Sequence, residues 1–213
     1  TGGPICSTGS GNITLTAANL TNSGSIISAA GNLTATLTGS LLVQNATVSA
    51  AGAMTVSATG VTLTANTASA LLNSAGTQSI TVGAGGVTLN GAGGAAASKF
   101  AQIFQTGATG TQTITVNGGG NLALNGGAGS GNGNFAEIFA SGTAQNLTFN
   151  AGGNIILTGG TVGNRNFAQI GAGNATLAAQ TQTITGVTGI TLNGGLTGGG
   201  VDANNGSLGN FAQ

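Results

Sequence analysis

"QTITVNGGGNLALNGG", residues 112 to 127, carries the pattern from which the fold is read. Its first half alternates, with apolar Ile114 and Val116 and polar Thr113 and Thr115. Alternation with period two is the mark of a strand that buries one face. "NGGGN" at 117 to 121 then interrupts the strand with residues that tolerate left-handed backbone. Leu122 and Leu124 begin a second alternating run, which closes on Asn125 and Gly126. Strand, corner and strand fit within this one stretch.

The stretch has relatives along the chain. "QSITVGAGGVTLNGAGG" starts at Gln78, "QNLTFNAGGNIILTGG" at Gln145 and "QTITGVTGITLNGG" at Gln182, so the unit starts lie 34, 33 and 37 residues apart. The first three units close with a third run: "KFAQIF" at 99 to 104, "NFAEIF" at 134 to 139 and "NFAQIG" at 166 to 171. Upstream the units are shorter. "GNITLTAANLTNSGSIISAA" starts at Gly11, "GNLTATLTGSLLVQNATVSAA" at Gly31 and "GAMTVSATGVTLTANTASA" at Gly52, a spacing of 20 and then 21 residues. Units this short cannot bury a face alone, but stacked units can. The expectation is an all-β, right-handed parallel β-solenoid (β-helix) of roughly eight coils, each coil one repeat. It forms one continuous domain, with ~20-residue coils over 1–77 and Gly-rich ~34-residue repeats over 78–213. Abundant Gly and β-branched residues argue against helices, and a sandwich would not keep the turns in phase.

"ANLTNSGSIISAAGNLTATLTG", residues 18 to 39, resembles the repeat of filamentous haemagglutinin-type exoproteins, and the similarity extends over residues 11 to 65. These are secreted bacterial adhesins with a β-helical shaft. The resemblance implies a parallel β-helix and a place on the bacterial cell surface or outside the cell, in an adhesin, fibre or biofilm component. The longer Gly-rich units depart from that repeat in length, and the family's secretion domain is not recognisable.

Composition removes several function classes. Lys99, Glu137, Arg165 and Asp202 are the only charged residues in a chain of 213 that has 43 Gly and no His. Nucleic-acid backbones require clustered Lys and Arg, and no apolar run reaches the length of a membrane span; neither nucleic acid nor membrane insertion is expected. Glu137 and Asp202 lie about two coils apart, so the paired carboxylates of glycoside hydrolysis are missing. Without His, no triad or general acid–base pair can be assembled. The chain therefore reads as not an enzyme, with no catalytic, cofactor or metal residue. The single Cys6 permits no internal disulfide; it reads as a small buried hydrophobe, a free thiol or half of an intermolecular bridge.

Three sets of residues are candidates for interaction. A solenoid has two open ends, and natural chains cap them with polar or charged elements, which neither end shows. The sequence stops at "GNFAQ", within a repeat. We expect Phe211, Ala212 and Gln213 to meet Ile5 and Cys6 of a second copy head to tail, or flanking repeats of a longer chain. The third run gives a possible lateral surface of Phe100, Gln102, Phe104, Phe135, Glu137 and Phe139 if Ala101 and Ile103 point inward; a bend there would instead put Phe and Ile together in the core. Thr81, Thr113, Thr115, Thr148, Thr183 and Thr185 form a third candidate, an outward Thr face that would suit ice or glycans. The leading expectation is a structural subunit or shaft segment of an extracellular bacterial filament or adhesin, with ice or carbohydrate binding as the alternative.

Overall fold

The alternating segments become strands, and a repeat lacking helices lets equivalent strands stack in register. In the computed structural model, which describes residues 4–173, 180–195, 201–202, 206–207 and 212–213, the described chain is all β. A short β1 (Ile5–Cys6) is followed by β2 (Ile13–Ala17), β3 (Leu20–Ser23) and β4 (Ile26–Ala29), the first complete coil. The second coil is β5 (Leu33–Leu37), β6 (Ser40–Gln44) and β7 (Thr47–Ala50). In the third and fourth, β8 (Met54–Thr64) and β10 (Gln78–Asn90) each run across a corner, before β9 (Ala70–Ser74) and β11 (Ala101–Gln105). The fifth is β12 (Thr111–Val116), β13 (Leu122–Asn125) and β14 (Ala136–Ala140). The sixth is β15 (Ala144–Phe149), β16 (Asn154–Thr158) and β17 (Ala168–Ala172). A seventh has β18 (Thr181–Thr185) and β19 (Gly189–Asn193), and Ala212 bridges to Ala168 where its third strand belongs. A short antiparallel pair, β20 (Val201–Asp202) with β21 (Gly206–Ser207), lies apart from the ladders.

These strands make three parallel faces, and the chain is a parallel β-solenoid. The first face stacks β2, β5, β8, β10, β12, β15 and β18. The second stacks β3, β6, the later halves of β8 and β10, then β13, β16 and β19. The third, a seven-stranded sheet, stacks β1, β4, β7, β9, β11, β14 and β17. One column along the first face reads Ile13, Leu33, Met54, Gln78, Gln112, Gln145 and Gln182. The β8-to-β10 pairing carries the ladder directly from the short coils into the long ones.

The added residues of the long coils sit at corners, chiefly 91–100, 126–135 and 159–167 between the second and third faces. These Gly-rich corners stack as the strands do, which a flexible loop would not. Buried Asn166 donates from Nδ2 to the carbonyls of Gly131 at 2.8 Å and Val162 at 2.7 Å, and its Oδ1 accepts the Asn134 N–H at 2.7 Å. Asn134 in turn accepts the Lys99 N–H at 2.8 Å and donates to the Ala96 carbonyl. Each of these corners turns through a left-handed residue two positions before its Phe: Ser98 at φ 58°, Gly133 at 73° and Arg165 at 60°. Glycine holds that geometry with least strain.

Inside, columns of aliphatic residues fill the space between faces. Val48, Leu72, Ile103 and Ile138 form one such column, with Ile103 and Ile138 fully buried. Fully burying a side chain of this size contributes roughly 1.5–3 kcal/mol, and every coil repeats the contribution.

Candidate functional site

The third strand of each long coil turns its Phe residues outward. Ala101, Ile103 and Gln105 are buried while Phe100, Gln102 and Phe104 are half-buried, and Ala136, Ile138 and Ala140 alternate with Phe135, Glu137 and Phe139 in the same way. The core alternative for the Phe ladder is thus overturned: no bend occurs inside β11 or β14, so the pleat keeps Phe and Ile on opposite sides. The half-buried rings shelter one another. Phe100, Phe135 and Phe167 stack nearly parallel at 4.5 and 4.7 Å, and Phe104 meets Phe139 edge-on at 5.8 Å. Phe139 reaches over the next coil, where a Cβ on Gly171 would lie 3.0 Å from its ring. Beside the stack runs a groove of about 320 Å³ lined by Phe100, Phe135, Phe167 and the left-handed Ser98, Gly133 and Arg165.

Glu137 lies between Gln102 and Gln169 in this face. Its half-buried position pushes the carboxyl above the usual carboxylate range, and the hydrogen bond from Gln102 Nε2 to Oε2, at 2.5 Å, partly offsets the rise.

On the first face the outward columns are almost wholly hydroxyl. Thr14, Thr34, Thr55, Ser79, Thr113, Asn146 and Thr183 form one; Thr16, Thr36, Ser57, Thr81, Thr115, Thr148 and Thr185 form the other. The six threonines singled out from the long repeats share this face, and the short coils extend the same two columns.

One ordered set escaped the sequence reading as a site. Gln78, Gln112, Gln145 and Gln182 open successive repeats, and the first three are buried with their amides linked along the axis. Nε2 of Gln112, Gln145 and Gln182 donates to Oε1 of the preceding Gln at 2.8, 2.7 and 2.6 Å. The signal was present as a Gln at constant phase, but Gln is usually a surface residue.

At the ends, apolar columns run out into solvent. Ile190 and Leu192 continue the columns of Ile155 and Leu157, which are 1% and 2% exposed, yet are themselves 55% and 54% exposed. At the other end Ile5 continues the column of Ile27 and is 47% exposed. Cys6 beside it is exposed and free, so the buried-hydrophobe reading of this thiol is overturned by its place on an edge strand. Gln213 exchanges backbone hydrogen bonds with Ala168 and Ile170, through its N–H and carbonyl respectively; Phe211 lies outside the described residues. Among the described residues, no group of His, Cys, Asp or Glu gathers as a metal site would require. Comparison with family models, with curated proteins and with solved structures finds no match.

Proposed function

We propose that this protein is a structural element: a subunit or shaft segment of an extracellular bacterial filament or adhesin, lengthened by stacking further coils on its open ends. The supporting observation is the exposure of core columns at both end coils. Ile190 and Leu192 each retain about half of their surface, so a coil laid on that edge adds about 1 kcal/mol or more from each, before any ladder hydrogen bonds. Parallel strands present the same pattern of donors and acceptors at every level, so the added coil finds a matched partner. The partner is itself, as a second copy stacked head to tail, or flanking repeats of one longer chain. Stiffness then follows from repetition, since each coil contacts only its neighbours and adds one layer of core.

Electron microscopy of the purified chain at rising concentration tests the assembling form. Filaments are expected, with strand spacing near 4.8 Å along the fibre. Ile190→Lys with Leu192→Lys should leave short rods, because two ammonium groups would be buried at the junction. Discrete short rods from the unaltered chain at every concentration would refute head-to-tail assembly.

A further inference from the structure

We propose that the hydroxyl face of β2, β5, β8, β10, β12, β15 and β18 binds ice. Of the fourteen positions in its two full-length outward columns, thirteen are Thr or Ser: Thr14, Thr34, Thr55, Ser79, Thr113 and Thr183 in one column, broken by Asn146, and Thr16, Thr36, Ser57, Thr81, Thr115, Thr148 and Thr185 in the other. The simplest alternative is that Thr is merely the best uncharged outward residue for a strand. That account distributes Thr over all three faces. Instead the second face interrupts its outward columns with Leu42, Ala123 and Ile156. The third presents Leu71, Gln102, Glu137, Phe104 and Phe139. Hydroxyls are concentrated on one side of a solenoid whose three sides have the same backbone.

The geometry selects the ligand. Rungs repeat at about 4.8 Å along the axis, and outward residues two apart on a strand lie about 6.6 Å from each other. Two columns over seven rungs make a rectangular net of hydroxyls about 29 Å long. Hexagonal ice has rows of oxygen at closely similar spacings in two perpendicular directions, and liquid water has no such net. Each Thr sets a methyl beside its hydroxyl, so water at the face is anchored by one group and caged by the other. None of the array hydroxyls forms a hydrogen bond to protein among the described residues, and Lys99, Glu137 and Arg165 all lie off this face. Glycan sites rely on aromatic side chains and a few convergent polar groups in a concave pocket. This face is extended and free of aromatics, so its chemistry favours ice over sugar.

The test uses the full chain. Thermal hysteresis, faceting of a single ice crystal and uptake into a growing ice hemisphere are expected. Thr115→Tyr, at mid-face, should remove most of the hysteresis, while Thr88→Tyr on the second face leaves it unchanged. Asn146→Thr fills the one gap in the two columns and should increase hysteresis; this conservative variant decides the matter even if Thr115→Tyr fails to fold. Exclusion of the unaltered chain from ice, equal activity of the two Tyr variants, no gain from Asn146→Thr, or retention on insoluble glycan without ice activity would each overturn the proposal. Filament formation is read separately by microscopy, so failure here leaves the structural reading standing or falling on its own test.

Discussion

Replacing Gln112 by Met removes the middle of the buried amide chain while keeping nearly the same volume. Gln112 Nε2 donates to Gln78 Oε1 at 2.8 Å and to the Phe139 carbonyl at 3.0 Å, and its Oε1 accepts from Gln145 Nε2 at 2.7 Å. After the change Gln78 Oε1 has lost this donor in a site without water contact, whereas Gln145 retains the Gly171 carbonyl at 3.0 Å. A buried polar atom left without a partner costs about 1–3 kcal/mol, and the second lost bond adds about 1 kcal/mol. Gln112→Met is therefore expected to destabilise by about 2–4 kcal/mol. The same column already holds Met54, fully buried one coil before Gln78. Changing all four glutamines to Met removes donors and acceptors together, which leaves no amide orphaned and is close to neutral per pair. The quadruple variant should thus cost well under the sum of four single changes. Equilibrium urea unfolding followed by circular dichroism measures both. A single variant within about 0.5 kcal/mol of the parent, or additive costs in the quadruple, would refute the ladder's energetic role.

Three further outcomes are expected. Because burial raises the Glu137 carboxyl in the folded state, the native chain binds a proton more readily than the unfolded chain. Stability should then fall as pH rises from the ordinary carboxylate range through the raised value and level off above it; Glu137→Gln should remove that slope and be the more stable protein at neutral pH, measured as Tm against pH. Asn166→Ala severs the bonds to Gly131, Val162 and Asn134, with an expected loss of about 2–4 kcal/mol and new protease cleavage within 159–167. Ile103→Ala, in a fully buried column, should cost about 2–5 kcal/mol, and Ile190→Ala under about 1 kcal/mol in dilute protein; if coils stack end to end, the cost at Ile190 should grow with protein concentration.

The strands and their stacking were legible because period-two alternation and in-phase turns are local signals, visible in "QTITVNGGGNLALNGG" itself. The inward set Ile114, Val116, Leu122 and Leu124 follows from it directly. The Phe ladder was ambiguous for a physical reason: its direction depends on where the chain bends, and the bend is fixed by Asn134 and Asn166 in the adjacent coils, at a distance of more than thirty residues. The glutamine chain was hidden because each amide oxygen finds its donor in the Gln of the next coil, which is a property of the ladder and not of one repeat. The full length of the hydroxyl columns needed the registers of Thr34 on Thr55 and Thr55 on Ser79, which join repeats of different length.

The amide bonds also give the rod a direction. Gln78, Gln112 and Gln145 each accept, through Oε1, from the coil that follows. The corner asparagines Asn12, Asn19, Asn32, Asn45 and Asn121 do the same toward backbone N–H groups at Asn32, Ser40, Ala53, Asn66 and Asn154. Asn134 and Asn166, at the long corners between the second and third faces, run the other way. In the main, then, a coil carries in advance the acceptors that its successor needs. A coil offered in the correct orientation meets oxygens already aimed at its N–H groups, whereas two like ends would oppose acceptor to acceptor. Parallel ladders and one-way amides therefore favour the same mode of extension, head to tail, in which each added coil recreates the edge on which it was received.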